Sequence, residues 1–161
     1  MIEGKAIILG NNIDTDQIYP GKYLPITDPV EMAPHALEGL AEDYSEKLKG
    51  AIIIAGKNFG CGSSREQAAI SLKYAGVNAI VAESFARIFY RNAINQGILL
   101  CQVDKKPKAG DDDIISIDID NSIIITPSER VNFTPLPPFL LEIINRGGLI
   151  EYTRAILTED E

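Results

Sequence analysis

Two short stretches hold the residue types from which acid–base chemistry on an anion could be built. The first is Gly56-Lys57-Asn58-Phe59-Gly60-Cys61-Gly62-Ser63-Ser64-Arg65-Glu66-Gln67. Its three glycines let backbone approach a ligand and turn a run of N–H groups toward it. Two hydroxyls follow, and then Arg65, whose planar guanidinium can hold a carboxylate through two parallel bonds. The second stretch is Asn12-Ile13-Asp14-Thr15-Asp16-Gln17-Ile18, with two carboxylates flanking a hydroxyl. Each also has a purely structural reading. Ser63-x-x-Glu66 and Ser64-x-x-Gln67 are overlapping capping boxes, a common way to start a helix. Asp14-Thr15-Asp16 alone reads as a solvated Asx-turn. Capping, however, does not require Gly56, Gly60 and Gly62 in the preceding residues, and those glycines favour a binding loop.

The elements around the glycine loop suit an α/β protein. Ala51-Ile52-Ile53-Ile54-Ala55 is an unbroken apolar run, as in a strand buried on both faces. Residues 67–75 have a helical pattern closed by Gly76, and residues 77–82 form the next strand, completing a β–loop–α–β unit. A helix N-terminus beside the loop adds partial positive charge. Ser84 then reads as the cap of a helix running to Asn95, followed by a strand over 98–103. Upstream, residues 5–9 predict a first strand, and Asp28-Pro29 the start of a short helix. Helical spacing at Leu37, Leu40, Tyr44 and Leu48 predicts a helix over 35–48. Downstream, residues 113–118 and 122–126 predict an antiparallel hairpin. A last helix spans 139–146, and the tail after Leu149 is a short helix or an arm. The expectation is one domain over residues 1–161, a parallel βαβ core with an added antiparallel hairpin.

Bulk properties narrow the function. The 161 residues are 45% hydrophobic, enough for a real core. A net charge of −8 argues against nucleic acid and against an anionic membrane surface. No apolar run approaches the length that spans a bilayer, and no secretory pattern opens the chain, so a cytoplasmic protein is expected. Cys61 and Cys101 are the only cysteines and cannot supply the four thiolates of an iron–sulfur cluster. His35 is the only histidine, so no metal site is expected on this chain.

Two phosphate loops come close and fail. A P-loop needs Gly-Lys-Ser/Thr where this chain has Gly62-Ser63-Ser64. The dinucleotide fingerprint begins with Gly60-x-Gly62, but Arg65 stands where its third glycine belongs. Glu83 mimics the ribose-binding acid, which keeps a nucleotide- or anion-binding module as an alternative of a different class.

The glycine loop through Ala68 resembles the signature of the swivel domain of the aconitase superfamily, and more narrowly the small subunits of 3-isopropylmalate dehydratases and homoaconitases. The 12–18 stretch is similar to the family's N-terminal active-site loop. Ala82-Glu83-Ser84-Phe85-Ala86-Arg87-Ile88-Phe89-Tyr90-Arg91-Asn92-Ala93 and Asn95-Gln96-Gly97 match its next helix. The resemblance implies a three-layer β/β/α swivelling domain. It also implies a hydro-lyase that moves a hydroxyl between neighbouring carbons of a hydroxy-dicarboxylate, using a [4Fe–4S] cluster carried by a large-subunit partner. Within it Ser63 would be the base and Asp16 the acidic catalytic residue. Ser64, Arg65 and Thr15 would bind substrate, and the loop at Leu24, Pro25 and Ile26 would meet the variable end of the substrate. Family members acting on tricarboxylates carry an arginine in that loop. An apolar Pro25-Ile26 pair favours isopropylmalate over homocitrate, with Lys22 the residue that would favour the latter.

Overall fold

The protein is described by a computed structural model covering residues 1–159. Seven strands of these residues form one hydrogen-bonded sheet: β1 (Ile2–Ile8), β2 (Ile52–Ile54), β3 (Ala79–Ala82), β4 (Leu99–Gln102), β5 (Ile114–Asp118), β6 (Ile123–Ile125) and β7 (Arg130–Asn132), in the order β4-β3-β2-β1-β5-β6-β7. The first four run parallel, and β5, β6 and β7 join antiparallel through β1. Among the described residues six α-helices complete the fold: α1 (Thr15–Ile18), α2 (Pro29–Met32), α3 (Glu66–Ala75), α4 (Arg87–Asn95), α5 (Pro138–Asn145) and α6 (Leu149–Glu159).

Side-chain alternation explains the layering. Ile7, Ile53, Ile80 and Leu100 face the helices, where they join Leu72, Phe89 and Ile94. Ala6, Ile52, Ile54, Val81, Leu99 and Cys101 point to the other face and meet Ile115, Ile117, Ile124 and Phe133. The antiparallel half therefore folds back over the parallel half, and Thr134 N–H bonds to the carbonyl of Gln102 at 2.9 Å across the seam. The result is the expected β/β/α stacking. Both faces of β2 and β3 are buried, which is why their sequences are apolar without alternation.

Several expectations are corrected. No helix forms over 35–48; the segment holds 3₁₀ turns at Ala33–His35 and Tyr44–Lys47. Leu37 adopts φ 58°, and the N–H groups of Leu37 and Gly39 bond to the carbonyls of Ile18 and Gln17. Tertiary contacts with α1 thus take the backbone groups that a helix would use. The apolar spacing still serves burial, since Leu37 and Leu48 are fully enclosed. Strand β7 carries no sequence signal, being three residues with one half-buried side chain. Asp28 does cap α2, accepting from Val30 N–H at 3.0 Å, and the tail after Leu149 is helical.

Candidate active site

The loops that leave the carboxyl ends of β1, β2 and β3 meet at one edge, where parallel α/β sheets hold their ligands. Asn12 N–H bonds to the Lys57 carbonyl, Gly60 N–H to the Ile13 carbonyl and Thr15 N–H to the Cys61 carbonyl, all within 2.7–2.8 Å. Phe59 bridges to Phe85 in the loop after β3, and its ring is fully buried against Phe89 of α4. The glycine at 60 is required: at φ 86°, a Cβ there would lie 2.2 Å from the Phe89 ring.

The capping alternative for the serines fails. Helix α3 begins at Glu66 with Arg65 at its N-cap, extended at φ −138°, and no side chain caps it. Ser63 and Ser64 lie upstream and exposed. The buried Thr15 hydroxyl donates to the Ser63 carbonyl at 2.7 Å and so ties this part of the loop to α1. Ser84 is corrected likewise. It does not cap α4, whose N-cap is Ala86, but accepts from Asn58 N–H at 2.8 Å and so supports the glycine loop.

Arg65 and Asp16, 49 residues apart, form an ion pair at 2.8 Å. The same guanidinium nitrogen donates to the Tyr19 carbonyl at 3.1 Å. Asp16 Oδ1 also accepts from Gly21 N–H. The hydrogen bond from Arg65, then that from Gly21, holds the Asp16 carboxyl below its ordinary value. Asp16 is therefore a carboxylate at neutral pH and accepts from both Arg65 and Gly21. Asp14, rather than forming an isolated Asx-turn, caps α1 in a reciprocal box with Gln17.

An open cavity of 360 Å³ lies between the glycine loop and α4, lined by Thr15, Ser63, Ser64, Arg65, Arg87 and Asn92 among others. Arg65 at the N-cap of α3 and the first turn of α4 both line it, and neither helix start has a side-chain cap. Unclaimed N–H groups and dipoles at both turns, with two arginines, favour an anion there despite the overall −8 charge. Asp16 reaches this cavity only through Arg65, and Leu24, Pro25 and Ile26 stand outside it. Leu24 and Pro25 are exposed beside the first turn of α3, where Gln67 Nε2 contacts the Leu24 carbonyl at 3.5 Å. Ile26 is half-buried against the helix-side core, so the exposed apolar pair is Leu24–Pro25 rather than Pro25–Ile26.

The nucleotide alternative loses its acid: Glu83 Oε1 accepts from Lys106 N–H at 2.9 Å. Cys101 is enclosed between the sheet layers, where burial pushes its thiol up out of the reactive range. Cys61 lies apart from it in the glycine loop. Among the described residues no group of three or more His, Cys, Asp or Glu side chains converges to hold a metal.

The aconitase C-terminal domain family matches residues 5–106, nearly two-thirds of the chain. Curated small subunits of 3-isopropylmalate dehydratase match almost end to end. That of Ruminiclostridium cellulolyticum is 45% identical over 97% of this chain and 98% of its own length. That of Pyrobaculum calidifontis is 48% identical over 96% and 98%. The chain belongs to the 3-isopropylmalate dehydratase small-subunit family of aconitase C-terminal domains. A crystal structure of 3-isopropylmalate dehydratase from Methanocaldococcus jannaschii superimposes with a TM-score of 0.88 at 43% identity, covering 99% of this chain and 98% of that one. The membership accounts for the motif order from Gly10 to Gly97 and for the seven-stranded arrangement that frames it.

Proposed function

We propose that this chain is the small subunit of a hydro-lyase that interconverts 2-isopropylmalate and 3-isopropylmalate, by dehydration and rehydration, in leucine biosynthesis. The observation that carries the reading is the convergence of Thr15, Ser63, Ser64 and Arg65 on one anion-favouring cavity, in a chain of this family. Ser63 takes the proton from the carbon next to a substrate carboxylate. A serine is a poor base when free, but an alkoxide here faces uncapped helix N-termini and the Arg65 charge, which are oriented before reaction. Arg65 receives the carboxylate through the part of its fork that Asp16 and Tyr19 do not use. Asp16 orients that fork, Ser64 contributes a second hydroxyl to the substrate, and Thr15 fixes the Ser63 backbone.

The residues of this chain do not fit an iron–sulfur cluster, since its two thiols are separated and one is enclosed. We assign the [4Fe–4S] cluster and the remaining cavity wall to a large subunit, with which this chain assembles in the cytoplasm. Residues 1–161 act as one swivelling unit closing over that partner. No helix among the described residues is long and apolar enough to cross a membrane.

Leu24 and Pro25 offer an apolar rim to the isopropyl group, and a third substrate carboxylate would be left unpaired there. Lys22, which could serve such a carboxylate, instead sits over the Tyr23 ring at 5.2 Å. The competing reading is a homoaconitase small subunit. Assembly with a 3-isopropylmalate dehydratase large subunit, and separately with a homoaconitase large subunit, distinguishes the two. Turnover of isopropylmalate is expected; turnover of homocitrate alone would overturn the assignment.

A further inference from the structure

Beside the apolar rim stands a cluster of side chains that the reaction does not use. Glu38 reaches two partners at once. Its Oε1 accepts from the Tyr23 hydroxyl at 2.5 Å, and its Oε2 lies 2.5 Å from His35 Nδ1. Burial pushes the Glu38 carboxyl up, but the hydrogen bonds from Tyr23 and His35 outweigh it and leave the group below its ordinary value. An ionised carboxylate only accepts, so the proton between them belongs to His35 Nδ1. The His35 ring in turn stacks on the Tyr23 ring, with centroids 3.6 Å apart and planes within 16°. Tyr23 is thus fixed at its hydroxyl by Glu38 and across its face by His35.

The base of this cluster is strained and well anchored. Leu37, the residue before Glu38, is a fully buried leucine at φ 58°, a conformation that leucine adopts only when its surroundings impose it. Its N–H bonds to the Ile18 carbonyl at 2.7 Å, and that of Gly39 to the Gln17 carbonyl. Glu38 is therefore set against α1, the element that also carries Thr15 and Asp16. On the other side, the Tyr23 carbonyl accepts from the Tyr19 hydroxyl at 2.7 Å and from Ile26 N–H at 3.0 Å. The bond from Ile26 spans Leu24 and Pro25, and the bond from Tyr19 ties the Tyr23 end of that turn in place. The chain thereby connects α1, through Glu38 and Tyr23, to the only part of the loop whose apolar side chains face solvent.

We propose that Glu38, oriented by His35, is a positioning residue that fixes Tyr23 and through it the Leu24–Pro25 rim at which the substrate's side chain is selected. The proposal rests on the dehydratase reading above. Without the clamp the rim is free to move, so the loss falls on recognition of the apolar end and not on the proton transfer at Ser63.

The test uses Glu38→Ala, Glu38→Gln and Tyr23→Phe in the assembled two-subunit enzyme and in this chain alone. In the assembled enzyme, Glu38→Ala is expected to raise KM for isopropylmalate about tenfold with kcat nearly unchanged. It is also expected to narrow the preference for isopropylmalate over 2-methylmalate by a similar factor. Glu38→Gln, which keeps an acceptor for Tyr23, restores most of both, and Tyr23→Phe shifts them in the same direction by less. In the isolated chain, hydrogen exchange at Leu24 and Ile26 speeds up about tenfold in Glu38→Ala while that at Ile53 and Ile80 stays as it was. Unchanged exchange at Leu24 and Ile26 would overturn the clamp. Faster exchange with unaltered KM and unaltered preference would overturn its role in selection. A wild-type assembly that leaves isopropylmalate untouched sinks the dehydratase reading, and the exchange arm then decides the clamp by itself.

Discussion

At the scale of single residues, the sharpest claim concerns Ser63. Its side chain is exposed and does not cap α3, so its removal costs the fold little. Ser63→Ala in the assembled enzyme is expected to lower kcat by about 10²–10⁴-fold, the usual range for a lost acid–base group, with the melting temperature unchanged. Turnover equal to wild type would reduce this chain to a scaffold. Asp16 supports a second prediction. Its carboxyl titrates below its unfolded value because Arg65 and Gly21 bind the charged form. The native state therefore binds fewer protons than the unfolded chain through that range. The stabilisation is complete above the unfolded pKa of about 3.9 and disappears as pH falls through the lower folded value. Asp16→Asn should flatten this part of the acid limb in a series of thermal melts from pH 6 to pH 2. Asp16 is 67% exposed, so solvent screens the pair and the change is small in size. An acid limb identical to that of wild type would mean that the Asp16–Arg65 pair is not kept in solution.

At the scale of elements, the glycine loop is held by sterics as much as by hydrogen bonds. Gly60→Ala puts a Cβ 2.2 Å from the Phe89 ring at a φ of 86°. Strain and overpacking together should cost roughly 2–4 kcal/mol, readable as a lower urea midpoint at constant slope. A loss under 0.5 kcal/mol would mean that the loop moves off α4 without cost. The same loop explains what sequence could and could not show. Ala51-Ile52-Ile53-Ile54-Ala55, the glycines and Arg65 are contiguous, so a strand, a turn and an anion group were readable together. Helices α3 and α4 were readable because their apolar spacing and closing glycines agree. The capping alternative for the serines fails because Arg65 takes the N-cap of α3, while a buried Thr15, 48 residues away, binds the Ser63 carbonyl. The 35–48 helix was misread because α1 takes its backbone donors. In both, tertiary contacts override a locally sound pattern. The Glu38 clamp has one local hint, His35 and Glu38 three apart. Its third member, Tyr23, lies 15 residues upstream of Glu38 and carries no such signal.

At the scale of the whole molecule, the site is half a site. Ser63, Ser64 and Leu24 are open to solvent, and the cavity between the glycine loop and α4 has no cover on its outer side. Proton abstraction beside a carboxylate needs water kept out and the charges of the site left unscreened, which an open surface cannot provide. The isolated chain should therefore be inactive and bind malate analogues weakly, and activity should appear on titration with the large subunit. That partner is expected to close over the α4 edge of the cavity. Ile88, on the first turn of α4, is 52% exposed although apolar, and the exposed Arg87 and Arg91 share its helix. An apolar side chain beside cations at the edge of an anion site suits a surface that is covered during turnover. Ile88→Glu should raise the large-subunit concentration needed for half-maximal activity about tenfold or more, while leaving the melting temperature of the isolated chain as it was. If the titration midpoint does not move, the covering surface lies on the Leu24–Pro25 side instead. The partner would then close first over the loop that reads the substrate, with the helix bordering the base left to follow.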